Sequence, residues 1–196
     1  YLPGTTVNRY CSSSLQTTRM AFHAIKTGEG SAFISAGVEA VSRFGNGMAD
    51  VGTAQNPFFA DAVARTATTA EGASEWHDPR EDGNVPDVYI AMGQTAENVA
   101  LWKDISRADM DEFACRSQNL AEKAIANGFW EREISPYTLE DGTVVSADDC
   151  PRAGVTVEGM AGLKPVFRPD GRVTAGNACP LNDGAAAVVV MSDEKA

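Results

Sequence analysis

The spacing of apolar positions changes several times along the chain. Thr5 to Tyr10 is short and β-prone. From Cys11 the spacing becomes helical: Leu15, Phe22 and Ile25 recur with Thr18 at steps of three and four, which predicts a helix with those residues on its inner face. Gly28 and Gly30 end it. Ala32 to Val38 is almost continuously apolar, interrupted by Ser35 and Gly37, the pattern expected of a buried parallel strand. From Arg43 to Val88 the chain turns rich in Gly, Asn, Asp, Pro and Ala and reads as an excursion from the sheet. Within it Ala60 to Ala70 is predicted helical, and the stretch from Glu75 to Asn84 is loop-like.

Two helices are expected next. One covers about Gly93 to Lys103. The other opens with Ser106 as N-cap and Asp109 three residues on, a variant of the capping box. Met110, Phe113, Leu120 and Ala124, with Ser117 between, are expected on its inner face, and Asn127-Gly128 ends it. Glu133 to Leu139 and Thr143 to Ser146 flank Asp141-Gly142, a hairpin signal. Gly176 to Gly184 reads as a loop or short helix, and Ala185 to Met191 as an apolar return strand. Strand, helix, strand, excursion and return imply an α/β fold with a large insertion. The expected division is residues 1–45 as core, 46–170 as insertion and 171–196 as the return to the core. A return strand without its sheet neighbours leaves an edge and an apolar face bare, for other residues or a partner chain to cover.

Composition narrows the function. The net charge of −11 argues against a nucleic-acid surface, which needs clustered Lys and Arg. No run approaches the roughly 18 apolar residues of a membrane helix. Tyr1-Leu2-Pro3-Gly4 is not a signal peptide, and the absence of an initiating Met implies a piece of something longer. The four cysteines, Cys11, Cys115, Cys150 and Cys179, form no CxxC pair, and neither histidine stands at ligand spacing from them. No metal and no disulfide framework is expected; reduced thiols in the cytoplasm are.

Cys11 follows the strand expected over Thr5 to Tyr10 and opens a helix. The first turn has free N–H groups and a partial positive charge, which favour a thiolate. Ser12-Ser13-Ser14 leaves room for a substrate. Placement alone favours a buried helix cysteine over a nucleophile.

Val7-Asn8-Arg9-Tyr10-Cys11-Ser12-Ser13-Ser14-Leu15-Gln16 resembles the nucleophile motif of the thiolases, and its Cys-Ser-Ser-Ser-Leu core also resembles that of β-ketoacyl synthases. Later segments favour the thiolases. Met92-Gly93-Gln94-Thr95-Ala96-Glu97-Asn98-Val99-Ala100 is similar to a thiolase segment near the pantetheine tunnel. Ile105-Ser106-Arg107 through Ser117-Gln118-Asn119 resembles the helix after it. Leu163-Lys164-Pro165-Val166-Phe167, Val173-Thr174-Ala175-Gly176-Asn177-Ala178 and Leu181-Asn182-Asp183-Gly184-Ala185-Ala186 complete the match.

The resemblance implies the N-terminal half of the thiolase fold with its loop-domain insertion, the C-terminal half being absent. It implies an acyl-CoA C-acyltransferase in which Cys11 carries the acyl group. Thiolysis by CoA, or condensation with acetyl-CoA, would follow. Backbone N–H groups, that of Cys11 included, would steady an oxyanion. Met92, Ala175 and Cys179 are the implied contacts to CoA, which is a substrate; no other cofactor is implied. The partners are an acyl-CoA or 3-ketoacyl-CoA, free CoA, and further copies in a dimer or tetramer. The family's Gly-His-Pro histidine, second catalytic cysteine and Asn-Glu-Ala-Phe motif have no counterpart here. His23 and His77 read as packing or solvated residues. Cys179 stands where many thiolases have a serine, and a thiol donates the weaker hydrogen bond. The excursion, with Trp76-His77-Asp78-Pro79-Arg80-Glu81-Asp82-Gly83, resembles actinobacterial thiolases of lipid and steroid side-chain degradation. The other reading is a catalytically incomplete CoA-binding or structural fragment.

Overall fold

The computed structural model describes residues 2–43 and 55–196. The expected boundary between residues 45 and 46 lies outside the described residues. The chain falls into two units, one of Tyr1–Ala49 with Leu181–Ala196 and one of Asp50–Pro180.

In the first unit, Thr5 to Tyr10 does not form the expected strand. Its one ladder contact is an isolated bridge between Arg9 and Cys11. Asn8 Oδ1 accepts the Tyr10 N–H at 2.9 Å, and Tyr10 takes a left-handed φ of 50°, so the chain turns instead of extending. Helix α1 (Ser13–Lys26) follows, ending at Thr27 with Gly28 at φ 78°. Its inner face matches the predicted one only in part, with Thr18 and Ile25 half-buried. Leu15 and Phe22 are exposed, while Thr17, Thr18 and Ala21 face strand β1 (Ala32–Glu39). The reason is close approach. Thr17 and Thr18 Oγ1 lie 2.7 and 3.0 Å from Ser35 Oγ. A Cβ on Gly37 would fall 2.2 Å from Ser14 Oγ. Helix and strand are this near because both present small residues, so the bulky apolar stripe turns outward.

Strand β1 pairs with the return strand (Gly184–Met191, β4 in chain order), from Ala32 opposite Met191 to Glu39 opposite Gly184. The pairing is antiparallel, not parallel: an unbroken apolar run marks burial but carries no strand direction. Asp183 pins the entry to β4, its carboxylate accepting the Ser42 N–H at 2.9 Å and the Ser42 hydroxyl at 2.7 Å. Helix α1 covers the Ser35 face. On the other face Ile34 pairs with Val189 and Val38 with Ala185, and Val38 is 79% exposed. The bare apolar face expected from the sequence is therefore present.

The second unit begins its helices with α2 (Ala60–Ala70), led by a 3-10 turn at Pro57–Phe59 that the Asn56 side chain caps. Arg65 ties α2 to the later chain through Asp87 at 2.7 Å and the Val85 carbonyl at 2.8 Å. Helices α3 (Met92–Trp102) and α4 (Arg107–Ala126) follow. Both bonds of the capping box between Ser106 and Asp109 form. The short helix α5 (Phe129–Glu133), the hairpin of β2 (Tyr137–Thr138) and β3 (Val144–Val145), and α6 (Val157–Ala161) complete the unit. Gly142 supplies the hairpin's positive φ.

Helix α4 also departs from its expected face, of which Met110 and Ala124 are half-buried. Phe113 is 70% exposed and Leu120 is exposed, whereas Asp111 and Cys115 are buried. Besides the short helices α5 and α6, α4 packs on irregular chain between residues 150 and 177, whose main-chain groups need side-chain partners. Arg107 donates to the Met160 and Leu163 carbonyls, Cys115 to the Val155 carbonyl, and Gln118 accepts the Arg152 N–H. Residues 171–180, assigned to the return by the sequence, cluster instead with this unit because α3 and α4 hold them. No helix among the described residues is long and apolar enough to cross a membrane.

Candidate active site

Cys11 lies in the first unit, exposed, in the turn that enters α1. The helix itself starts two residues later, at Ser13. Ser12 and Ser13 N–H donate to the Arg9 and Tyr10 carbonyls at 3.1 and 3.0 Å. The Ser13 hydroxyl accepts from the Arg9 N–H at 2.8 Å and donates to the Tyr10 carbonyl at 2.7 Å. Arg9 Nη1 reaches forward to Gln16 Oε1 at 2.9 Å. The turn is thus bonded on both sides of Cys11, and the thiol stands out of it unshielded.

Met92, Ala175 and Cys179 belong to the second unit and are all exposed. Met92 is the first residue of α3. Ala175 and Cys179 share the loop after the bridge between Pro165 and Thr174. The first turn of α3 is fastened to that region. A Cβ on Gly93 would lie 2.1 Å from the Phe167 ring, so glycine is required for the contact. Gln94 Nε2 donates to the Phe167 carbonyl at 2.6 Å.

The residues that hold this loop were not singled out by sequence reasoning. Glu97, 2% exposed, accepts the N–H groups of Arg172 (2.9 Å to each oxygen) and Val173 (2.7 Å). Gly171 makes room for it, since a Cβ there would stand 2.5 Å from Glu97 Oε1. Arg168 is buried between Gln94 Oε1 at 2.7 Å and Asn98 Oδ1 at 2.6 Å. Burial pushes the Arg168 guanidinium pKa down, with Glu97 and Asp170 opposing. Arg172 Nη1 donates to the Ala100 and Ile105 carbonyls. Farther along, Asn177 bonds Asp111, the Arg172 carbonyl and the Thr174 N–H. The available signal was the run of polar positions Gln94, Glu97 and Asn98 on one side of a helix with little charge elsewhere.

Cys115 is buried and Cys150 half-buried. Among the described residues, Asp148, Asp149 and Cys150 bring three potential ligand atoms within 4.8 Å of one another, but two of the three are exposed acids. His77 sits between Glu81 and Asp82 on the surface. His23 is exposed on α1.

Comparison with known proteins places these features in one class. Residues 1–194 match the family model "Thiolase, N-terminal domain". The chain is 42% identical to the β-ketoadipyl-CoA thiolase of Acinetobacter baylyi, over 98% of its own length and 47% of that protein. It is 36% identical to a probable acetyl-CoA acyltransferase of Staphylococcus aureus, covering 48% of that protein. The dimeric peroxisomal thiolase of Saccharomyces cerevisiae superposes with a TM-score of 0.71 at 33% identity, over 94% of this chain and 42% of that one. The chain therefore belongs to the thiolase family and carries the fold of its N-terminal half. It spans about half the length of the curated relatives it matches.

Proposed function

We propose that the full-length protein is an acyl-CoA C-acyltransferase that uses Cys11 as its nucleophile. The observation carrying this reading is a family match across residues 1–194 that coincides with an exposed thiol at the mouth of a helix. The Cys11 thiolate attacks the keto carbonyl of a 3-ketoacyl-CoA. The bond between C2 and C3 breaks, acetyl-CoA leaves after taking a proton, and the acyl group remains as a thioester on Cys11. CoA thiol then attacks the thioester, regenerating Cys11 and releasing a shortened acyl-CoA; condensation is the reverse. Backbone N–H groups, that of Cys11 included, receive the carbonyl oxygen as it gains charge. Met92, Ala175 and Cys179 contact the CoA arm, the Cys179 thiol giving a weak hydrogen bond. Coenzyme A enters as substrate, and no metal or further cofactor takes part. The protein works in the cytoplasm as a homo-oligomer, a dimer or tetramer; the yeast relative, described as dimeric, supports the former.

For the acyl group, the unusual stretch around Trp76 to Gly83 supports a lipid or steroid side chain. The names of the β-ketoadipyl-CoA relatives favour a short dicarboxylic chain. Relative kcat/KM on acetoacetyl-CoA, 3-ketoadipyl-CoA and a bulky 3-ketoacyl-CoA separates these. The test of the chemistry is the mass of the full-length protein after incubation with acetyl-CoA. One acetyl group mapping to Cys11, lost in Cys11→Ala, is expected. A stable adduct on Cys179 instead, or none, would overturn the assignment.

A further inference from the structure

The turn that presents Ala175 is held in place by side chains, not by regular structure. Thr174 is fully buried and Ala175 exposed, so the chain crosses from interior to surface in one residue. Asn177 controls that crossing from both ends of its amide. Its Oδ1 accepts the Thr174 N–H at 2.8 Å. Its Nδ2 donates to the Arg172 carbonyl and to Asp111 Oδ1, both at 2.9 Å. Asp111, 1% exposed, spends its second oxygen on Arg107 Nε at 2.7 Å. Arg107 in turn donates to the Met160 and Leu163 carbonyls at 2.8 and 3.0 Å. One unbroken polar chain thus runs from α6 through α4 to the turn. Every hydrogen-bonding site on Asp111 and Asn177 that it uses has a single correct donor or acceptor.

We propose that Asp111 and Asn177 are positioning residues for acyl-CoA binding: they fix the outward presentation of Ala175 through Cys179 to the CoA arm of the substrate. This rests on the functional reading above. Neither residue touches substrate; both act through the turn. A CoA arm is bound equally in ground and transition states, so loosening the turn raises KM while kcat changes little.

The experiment is steady-state kinetics on the full-length protein with acetoacetyl-CoA and CoA. Asn177→Asp sets two carboxylates against each other, and the expected result is a KM raised about tenfold or more with kcat within about threefold. The double variant Asp111→Asn with Asn177→Asp exchanges the two groups. The amide introduced at position 111 donates to the carboxylate introduced at position 177, while its oxygen keeps Arg107. KM is expected to return part of the way to the wild-type value, because the Arg172 carbonyl still lacks the donor that Asn177 Nδ2 gave it; general damage to the fold would produce no such recovery. Asn177→Ser serves if Asn177→Asp does not fold: its hydroxyl still accepts the Thr174 N–H but falls short of Asp111, and an intermediate KM is expected. Unchanged KM in folded variants of an active enzyme, or equal loss of kcat and no recovery in the double variant, overturns this proposal alone. A full-length protein that turns over no acyl-CoA overturns the functional reading and this one with it.

Discussion

Glu97 offers a quantitative test of how the irregular segment before the candidate site is stabilised. Its carboxylate is the acceptor for two main-chain N–H groups, those of Arg172 and Val173, at 2.7 to 2.9 Å. Glu97→Ala removes that acceptor, and the side chain's 2% exposure leaves water little access. Each buried donor left unpaired costs about 1–3 kcal/mol, so the pair costs about 4 kcal/mol. Glu97→Gln keeps the shape and one oxygen. The Val173 N–H keeps its bond, the Arg172 N–H loses one of two acceptors, and the charge assistance disappears. That loss is about 1 kcal/mol per bond, or about 2 kcal/mol in all. For a domain of this size each kcal/mol lowers Tm by about 2–4 °C, so the variants should melt about 4–8 °C (Gln) and about 8–16 °C (Ala) below wild type. Calorimetry or thermal circular dichroism measures both. Equal shifts for Gln and Ala, or a shift below about 2 °C for Ala, would refute the idea that Glu97 serves those amides.

Two further outcomes follow from groups away from that segment. The Ser106 hydroxyl and N–H hold the Asp109 carboxyl below its usual pKa, and hydrogen bonds from Arg80 hold Asp78 down to about 2. A carboxyl whose folded pKa is depressed stabilises the fold above its unfolded value of about 4 and loses that contribution as pH falls through the folded value. Helix content should therefore decline below about pH 4, and Asp109→Asn should flatten that part of the acid titration followed by circular dichroism. Thiol labelling of the native chain with iodoacetamide should modify Cys11 and Cys179 first, Cys150 later and Cys115 last, because Cys115 alone is buried. Peptide mapping that found Cys115 labelled as early as Cys11 would contradict its packing against the Val155 carbonyl.

Most helices were readable because their signals are local. Ser106 and Asp109 cap α4, Gly28 stops α1, and Asp141-Gly142 makes its hairpin. The facing of α1 and α4 was not readable, and one physical cause explains both errors. Apolar periodicity locates the inner face only when the neighbour is apolar. Here α1 meets Ser35 and Gly37 at close range, and α4 meets unladdered main chain that demands hydrogen bonds. The direction of β1 was lost for a related reason, since strand direction is set by a partner far along the chain. The place of Cys11 in the turn before a helix was legible. Glu97 and Asp111 were not, because a buried carboxylate in a helix looks like any surface acid until its partners are known; Asn177 was not, because an Asn beside a Gly reads as ordinary turn chemistry.

The pairing of β1 with β4 sets an order of events for folding. The two strands lie roughly 150 residues apart in sequence, and closing so long a loop costs entropy that only the finished pair repays. The intervening unit, Asp50–Pro180, is one continuous stretch. On a growing chain it is complete, and free to fold, before β4 has been made. Until then the edge of β1 that β4 will fill, a row of Ala, Ile and Val, is unpaired by β4. Aggregation during expression is thus expected to respond most to changes in β1, and to how quickly β4 arrives to close it.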